Sequence, residues 1–205
     1  MRVVFAALAL LTFSAYAWKD AWAPAFTCSP ANCRVLSEKS VGAFVEGSEE
    51  YSAPVKYCEG AAIDLNGDGV DDYVFIIPWM GNGLNADGCW VRFIVSAGAK
   101  GRTETVVECY APELSDLVKV GEKTYFRQSN FFSEFEKSKH NHWVHQVFSF
   151  DKNGVMKCAN AEVGRPFPAA TIFYDNPKFK PVELTAADLK QIEKETKPAS
   201  RKYAP

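Results

Sequence analysis

Past its first seventeen residues the chain has no apolar run approaching the roughly 18 to 20 residues that span a bilayer. It has no excess of either charge, with 23 basic and 25 acidic residues. Taking Arg2 away with the leader leaves 22 against 25, too mild a balance for nucleic acid, and no basic stripe interleaved with aromatics appears. A G-x-S-x-G elbow, an H-E-x-x-H pair and a phosphate-cradling P-loop are all missing, which excludes the commonest hydrolase and nucleotide signatures. No C-x-x-C occurs, so a zinc ribbon is excluded too, and no fixed period marks a repeat array. Histidine is scarce: all three, His140, His142 and His145, fall in one stretch, SEFEKSKHNHWVHQ.

What is present begins with a leader. Arg2, the apolar run Val3 to Phe13 and the Ala15-Tyr16-Ala17 motif predict a secretory signal peptide, 1–17, cut after Ala17. No cysteine follows the cut directly, which argues against a lipid anchor. The expected mature chain is periplasmic or secreted and not inserted in a membrane. It divides into one β-rich domain over 18–196 and a flexible tail over 197–205, where KPASRKYAP shows no apolar pattern. Six cysteines, Cys28, Cys33, Cys58, Cys89, Cys109 and Cys158, all lie past the leader, and an even count in an oxidising compartment predicts three disulfides. CWVRFIVSAGAKGRTETVVECY reads as a hairpin symmetric about Ala99, which sets Cys89 opposite Cys109 and Val91 opposite Val107. Arg92 then lies diagonal to Glu104 and Glu108 on the other face. Opposed Cα atoms sit close enough for a disulfide to close. For the other four, a local Cys28–Cys33 clip leaves Cys58–Cys158.

Strand signals dominate. DYVFII (72–77), CWVRFIV (89–95), TETVVECY (103–110), KTYFRQ (123–128) and HWVHQVFSF (142–150) are rich in β-branched and aromatic residues. FSFDKNGVMKC predicts a hairpin turning at Asp151-Lys152-Asn153-Gly154. A short helix fits between Cys33 and Phe44. A second is marked near the end, with Thr185 as N-cap, Asp188 closing a capping box and Leu184 stapled to Leu189. The expected fold is mainly β, an antiparallel sheet of sandwich or barrel type with a peripheral C-terminal helix; the alternative is α+β.

AAIDLNGDGVDDYVFIIP, residues 61–78, crowds Asp64, Asn66, Asp68, Asp71 and Asp72 ahead of a strand. Carboxylates this close repel unless a cation sits among them. Asp64, Asn66, Asp68, the carbonyl of Val70 and Asp72 fall at positions 1, 3, 5, 7 and 9 of a calcium loop, with Gly69 at the sharp turn of position 6. Calcium suits such a set because it accepts six to eight hard oxygens at loose geometry. Position 12 is Phe75 rather than Glu, so the loop is not an EF-hand. The pattern D-x-N-x-D-G-x-x-D running into an apolar strand resembles the calcium loops of FG-GAP and VCBS-type repeats. The resemblance implies calcium at these positions and spans about fifteen residues in a single copy, so it implies no propeller. The run onward through GNGLNADGCW also resembles small exported bacterial proteins, which bears on compartment and fold alone.

Two further groups carry candidate chemistry. The loop PWMGNGLNADG offers Trp79, Asn82, Asn85 and Asp87 as a recognition surface. Glu134, Glu136, His140, His142 and His145 form a possible zinc or acid–base cluster at a hairpin tip, where a plain polar tip is the competing reading. Three functions follow. The first is an exported, disulfide-linked, calcium-stabilised binding or interaction module, an inhibitor or a partner of a cell-envelope protein or glycan. The second is a metal-assisted hydrolase using the histidines. The third is a structural or adhesive envelope component.

Overall fold

Along residues 88–96 the side chains of Val91, Phe93 and Val95 alternate with those of Trp90, Arg92 and Ile94, so the strand has two faces, and both are covered. In the computed structural model the described residues are 29–48, 53–79, 88–110, 112–132, 142–163, 169–172 and 184–203. The predicted leader 1–17, Cys28, the loop residues Asn82, Asn85 and Asp87, and Glu134, Glu136 and His140 lie outside them.

The strands are β1 (Ser29–Pro30), β2 (Arg34–Val35), β3 (Glu59–Ile63), β4 (Asp72–Pro78), β5 (Gly88–Ser96) and β6 (Arg102–Tyr110). They continue as β7 (Leu117–Val120), β8 (Lys123–Phe132), β9 (His142–Phe150), β10 (Met156–Cys158), β11 (Ala169–Ile172) and β12 (Ala199–Lys202). One antiparallel sheet runs β1-β7-β8-β9-β10, with β11 beside β10 on the same edge of β9. The other runs β12-β6-β5-β4-β3-β2. The protein is therefore mainly β, two antiparallel sheets with a C-terminal helix, as the strand-rich sequence predicts.

The sheets meet through Ile63, Val74, Val91, Phe93, Val95 and Val107 on one side and Leu117, Phe126, Phe148, Phe150 and Met156 on the other. Phe93 anchors this core, with its ring 5.0 Å from that of Phe126 and 5.2 Å from that of Phe150. Burying each such side chain contributes roughly 1.5 to 3 kcal/mol. The second sheet is apolar on its outer face as well, where Phe75, Ile77 and Ile94 pack against Val41 and Val45. These last two belong to the helix Glu38–Val45, which Ser37 caps by accepting from the Ser40 amide. A sheet buried on both faces needs near-continuous apolar strands, and DYVFII supplies one.

The β5–β6 hairpin has the predicted register. Cys89 faces Cys109, Val91 faces Val107, and Arg92 stands diagonal to Glu104, whose carboxylate it binds through Nε. The turn is a single 3₁₀ turn over Gly98–Lys100. Residues 151–154 also turn as predicted, with the Gly154 amide bonded to the Asp151 carbonyl at 2.8 Å. Thr185 and Asp188 form the capping box of the helix Ala186–Glu195.

Two expectations need correction. The tail is not loose: β12 pairs with β6, and Arg201 Nε donates to Glu104 at 2.7 Å while the hydroxyls of Ser200 and Thr105 meet at 2.6 Å. An edge strand needs backbone partners and a few polar anchors, not an apolar face. Cys58 and Cys158 do not pair: Cys58 packs beside the helix Glu38–Val45 on one sheet, and Cys158 ends β10 in the other. Among the described cysteines no disulfide is formed. On the C-terminal helix Ile192 is buried, at 2% exposure, while Leu189 is 40% exposed.

Candidate metal-binding loop and its surroundings

Residues 64–71 join β3 to β4 across one end of the sandwich. Asp64 folds the loop over its own carboxylate, which accepts from the amides of Gly67 at 2.7 Å, Asp68 at 3.2 Å and Gly69 at 2.9 Å. The turn that brings those amides round needs φ of +81° at Gly69, a conformation glycine adopts without steric cost. Asn66 Oδ1 accepts from the Asp68 amide at 3.1 Å, and Asp68 Oδ1 accepts from the Val70 amide at 2.9 Å. Asp71 is exposed and pairs with Arg34 at 2.6 Å.

The loop is tied to both sheets. Asn66 Nδ2 donates to the Ser96 carbonyl at 3.0 Å, and the Ser96 hydroxyl binds Asp68, which pulls the Asp68 carboxyl below its usual range. From the other sheet Thr124 donates to the Asp64 carbonyl at 3.2 Å. The β9–β10 turn packs alongside: Thr103 Oγ1 donates to the Gly154 carbonyl at 2.5 Å, and a Cβ at Gly154 would lie 2.2 Å from that hydroxyl. A polar cleft of about 340 Å³ adjoins the loop, lined by Asp64, Asn66, Lys119, Lys123, Asp151 and Glu162 among others.

Asp72 is the buried end of the set, fully shielded from solvent. Its two oxygens accept from the Leu65 amide at 2.9 Å and the Ser96 amide at 2.7 Å. The cation beside it is Arg102, at 4.0 Å, whose other nitrogen donates to the Asp71 carbonyl at 2.9 Å. Burial pushes the Asp72 carboxyl up to about 6 against the pull of the two amides, and the charges of Asp68 and Asp64 add to the rise.

The residues expected to hold calcium bring three carboxylates (Asp64, Asp68 and Asp72), the Asn66 amide oxygen and the Val70 backbone carbonyl. The side-chain oxygens of Asp64, Asn66 and Asp68 accept from loop amides and those of Asp72 from the Leu65 and Ser96 amides. Among the described residues no three acidic, histidine or cysteine side chains gather closely enough to hold a metal. Ser96 and Thr124, which dock the loop, carry no signal in the sequence because they meet it only through tertiary packing.

Of the other candidates, Trp79, His142 and His145 are among the described residues. Trp79 packs against Trp90 with ring centroids 5.2 Å apart and planes tilted by 55°, and its backbone amide donates to the Gly88 carbonyl. Of the histidine cluster, His142 begins β9, and three positions further along the strand His145 is fully buried. Burial, with Arg127 nearby, lowers the His145 pKa to about 3, and Ser129 lies 3.0 Å from its Nδ1. A sealed, neutral imidazole is not a surface ligand. Comparison with known protein families, curated proteins and solved structures finds no match.

Proposed function

We propose that the protein is an exported binding or interaction module of the cell envelope, in which calcium at Asp64, Asn66, Asp68, Val70 and Asp72 braces one end of a β-sandwich. The observation that carries this reading is the placement of the acidic loop. It bonds Ser96 of one sheet and Thr124 of the other, and it leads into a carboxylate with no solvent access. A divalent cation there would offset repulsion at the point where the sheets are held together. The residues that would hold it are those five; the ion supplies charge and coordination, and the chain supplies the rest of the frame. The FG-GAP and VCBS resemblance supports the same assignment. Partners are an envelope protein or glycan, and the ends of the sandwich are the surfaces that would meet them.

A disulfide between Cys89 and Cys109 belongs to this reading. Both are buried and stand opposite each other in the ladder, so the bond would close the open end of the β5–β6 hairpin in an oxidising compartment.

The hydrolase reading loses His145 to the interior of the sheet. Immobilised mature protein, incubated with envelope extract in calcium and in EGTA, separates the alternatives. The module reading expects a retained partner whose capture His140→Gln with His142→Gln leaves unchanged. Stoichiometric zinc that survives dialysis, and is lost in that double variant, would replace it with the hydrolase reading.

A further inference from the structure

A second site lies away from the acidic loop, in the crevice between the helix Ala186–Glu195 and strands β9 and β10. It encloses about 540 Å³, within the range of small-ligand pockets. Phe148, Met156 and Ile192 are buried walls of this crevice, and Leu189, 40% exposed, stands at its mouth. Two residues of its lining are polar and buried, Gln146 and Asn160, and Asn160 Oδ1 already accepts from the Val147 amide at 2.9 Å. Gln146 is only 3% exposed and lines the same crevice.

The orientation of the Gln146 amide follows from a chain of hydrogen bonds. Thr196 Oγ1 donates to the Ile192 carbonyl at 2.7 Å, which leaves that oxygen as an acceptor for Gln146 Nε2 at 3.2 Å. The other end of the amide, Oε1, is then left buried without a hydrogen-bond partner among the described residues. A buried carbonyl in this state carries a desolvation cost that one donor would remove. Lys157, at the rim, is already paired with Asp151 at 2.6 Å, and no charged side chain is buried in the walls. Apolar walls, one orphaned acceptor and no buried charge specify the ligand class.

We infer that this crevice binds a small neutral molecule with a flat or aliphatic apolar body and a single O–H or N–H donor, which Gln146 Oε1 accepts. The inference stands independently of the calcium loop. The probe is 4-phenylphenol, compared with its methyl ether, which keeps the body and lacks the donor. Calorimetry on the mature protein should show the phenol binding roughly tenfold tighter, the worth of one neutral hydrogen bond to a buried acceptor. Gln146→Met should remove that preference while leaving the ether's affinity in place. Leu189→Trp, at an exposed position that leaves the core intact, should block both compounds. Equal affinity of phenol and ether for the native protein would overturn the assignment, since water or nothing would then sit on Oε1. So would a preference that survives in Gln146→Met, or a native protein that binds neither compound.

Discussion

The sheet built on β4, β5 and β6 buries two carboxylates and surrounds them differently. Glu104, on the outer face, is 5% exposed and lies between two guanidinium groups, Arg92 and Arg201. Burial raises its pKa, but the bonds and charges of Arg201 and Arg92 outweigh that and leave it below the usual range. Asp72, at the end of the same sheet, receives two backbone amides and stands 4.0 Å from a guanidinium that is committed elsewhere. Its neighbours Asp64 and Asp68 make matters worse, and its pKa rises to about 6. Charge is balanced within the chain at Glu104 and is not at Asp72. A cation from outside has a reason to bind at the second position and none at the first.

The largest expected effect breaks the balanced side. Glu104→Ala strands Arg92, 6% exposed, without its anion, and removing one partner of a buried pair costs about 3 to 5 kcal/mol. Arg201→Ala removes a side chain that is 52% exposed and should cost under about 1 kcal/mol. Urea denaturation of the two variants checks the contrast; a Glu104→Ala loss as small as that of Arg201→Ala would mean the network is not a buried one.

The β5–β6 hairpin carries Glu104 together with its partner Arg92, and also Ser96 and Arg102, the partners of Asp72, so fixing its register should support both regions. A Cys89–Cys109 bond closing a loop of about twenty residues contributes roughly 3 kcal/mol in the chain-entropy model. Peptide mapping of the oxidised protein should recover these two cysteines joined, with Cys89→Ser destabilised by that amount. Finding Cys89 joined to any other cysteine would refute the bond.

His145 is also fully buried and is the converse of Asp72, because it stays neutral. Its folded pKa, about 3, lies below the ordinary 6.5, so the unfolded chain takes up the proton first. Its contribution to stability is complete above pH 6.5 and falls as pH drops, by about 2 kcal/mol at pH 5. Asp72 slopes the other way: its contribution is present below its ordinary 3.8 and is lost as pH rises through about 6. The two oppose each other in this window, so the informative quantity is the native protein minus His145→Gln. That difference should shrink on acidification from pH 7 to 5, and a difference that does not vary with pH would contradict a buried neutral imidazole.

How much of this was legible in the sequence depended on whether the cause was local. Cys89, Val91, Val107 and Cys109 are spaced symmetrically about Ala99, which is enough to set a hairpin register. Thr185 and Asp188 cap their helix through bonds three residues apart. The strand EGAAI was not legible, because small residues give little strand signal and its place depends on pairing with β4. Nor was β12, whose Arg201 finds Glu104 across 97 positions of sequence. The acidic loop announced its residue types, while the two sheets it bridges came together through Ser96 and Thr124, residues of no special pattern. Gln146 sits in an ordinary alternating strand, and its orphaned oxygen exists only because Thr196 takes up the other end of the amide.

The most direct test of the contrast between Glu104 and Asp72 is calcium titration of the mature protein by calorimetry, with thermal unfolding in parallel. In the weak extracellular affinity range, roughly 10⁻⁴ to 10⁻³ M, millimolar calcium should stabilise the native protein by about 0.4 to 1.4 kcal/mol. Asp64→Ala and Asp68→Ala should each abolish both the heat of binding and the stabilisation, while Arg201→Ala, at the balanced carboxylate, should retain them. A native protein that is indifferent to calcium, or a response that survives in both aspartate variants, would contradict the account.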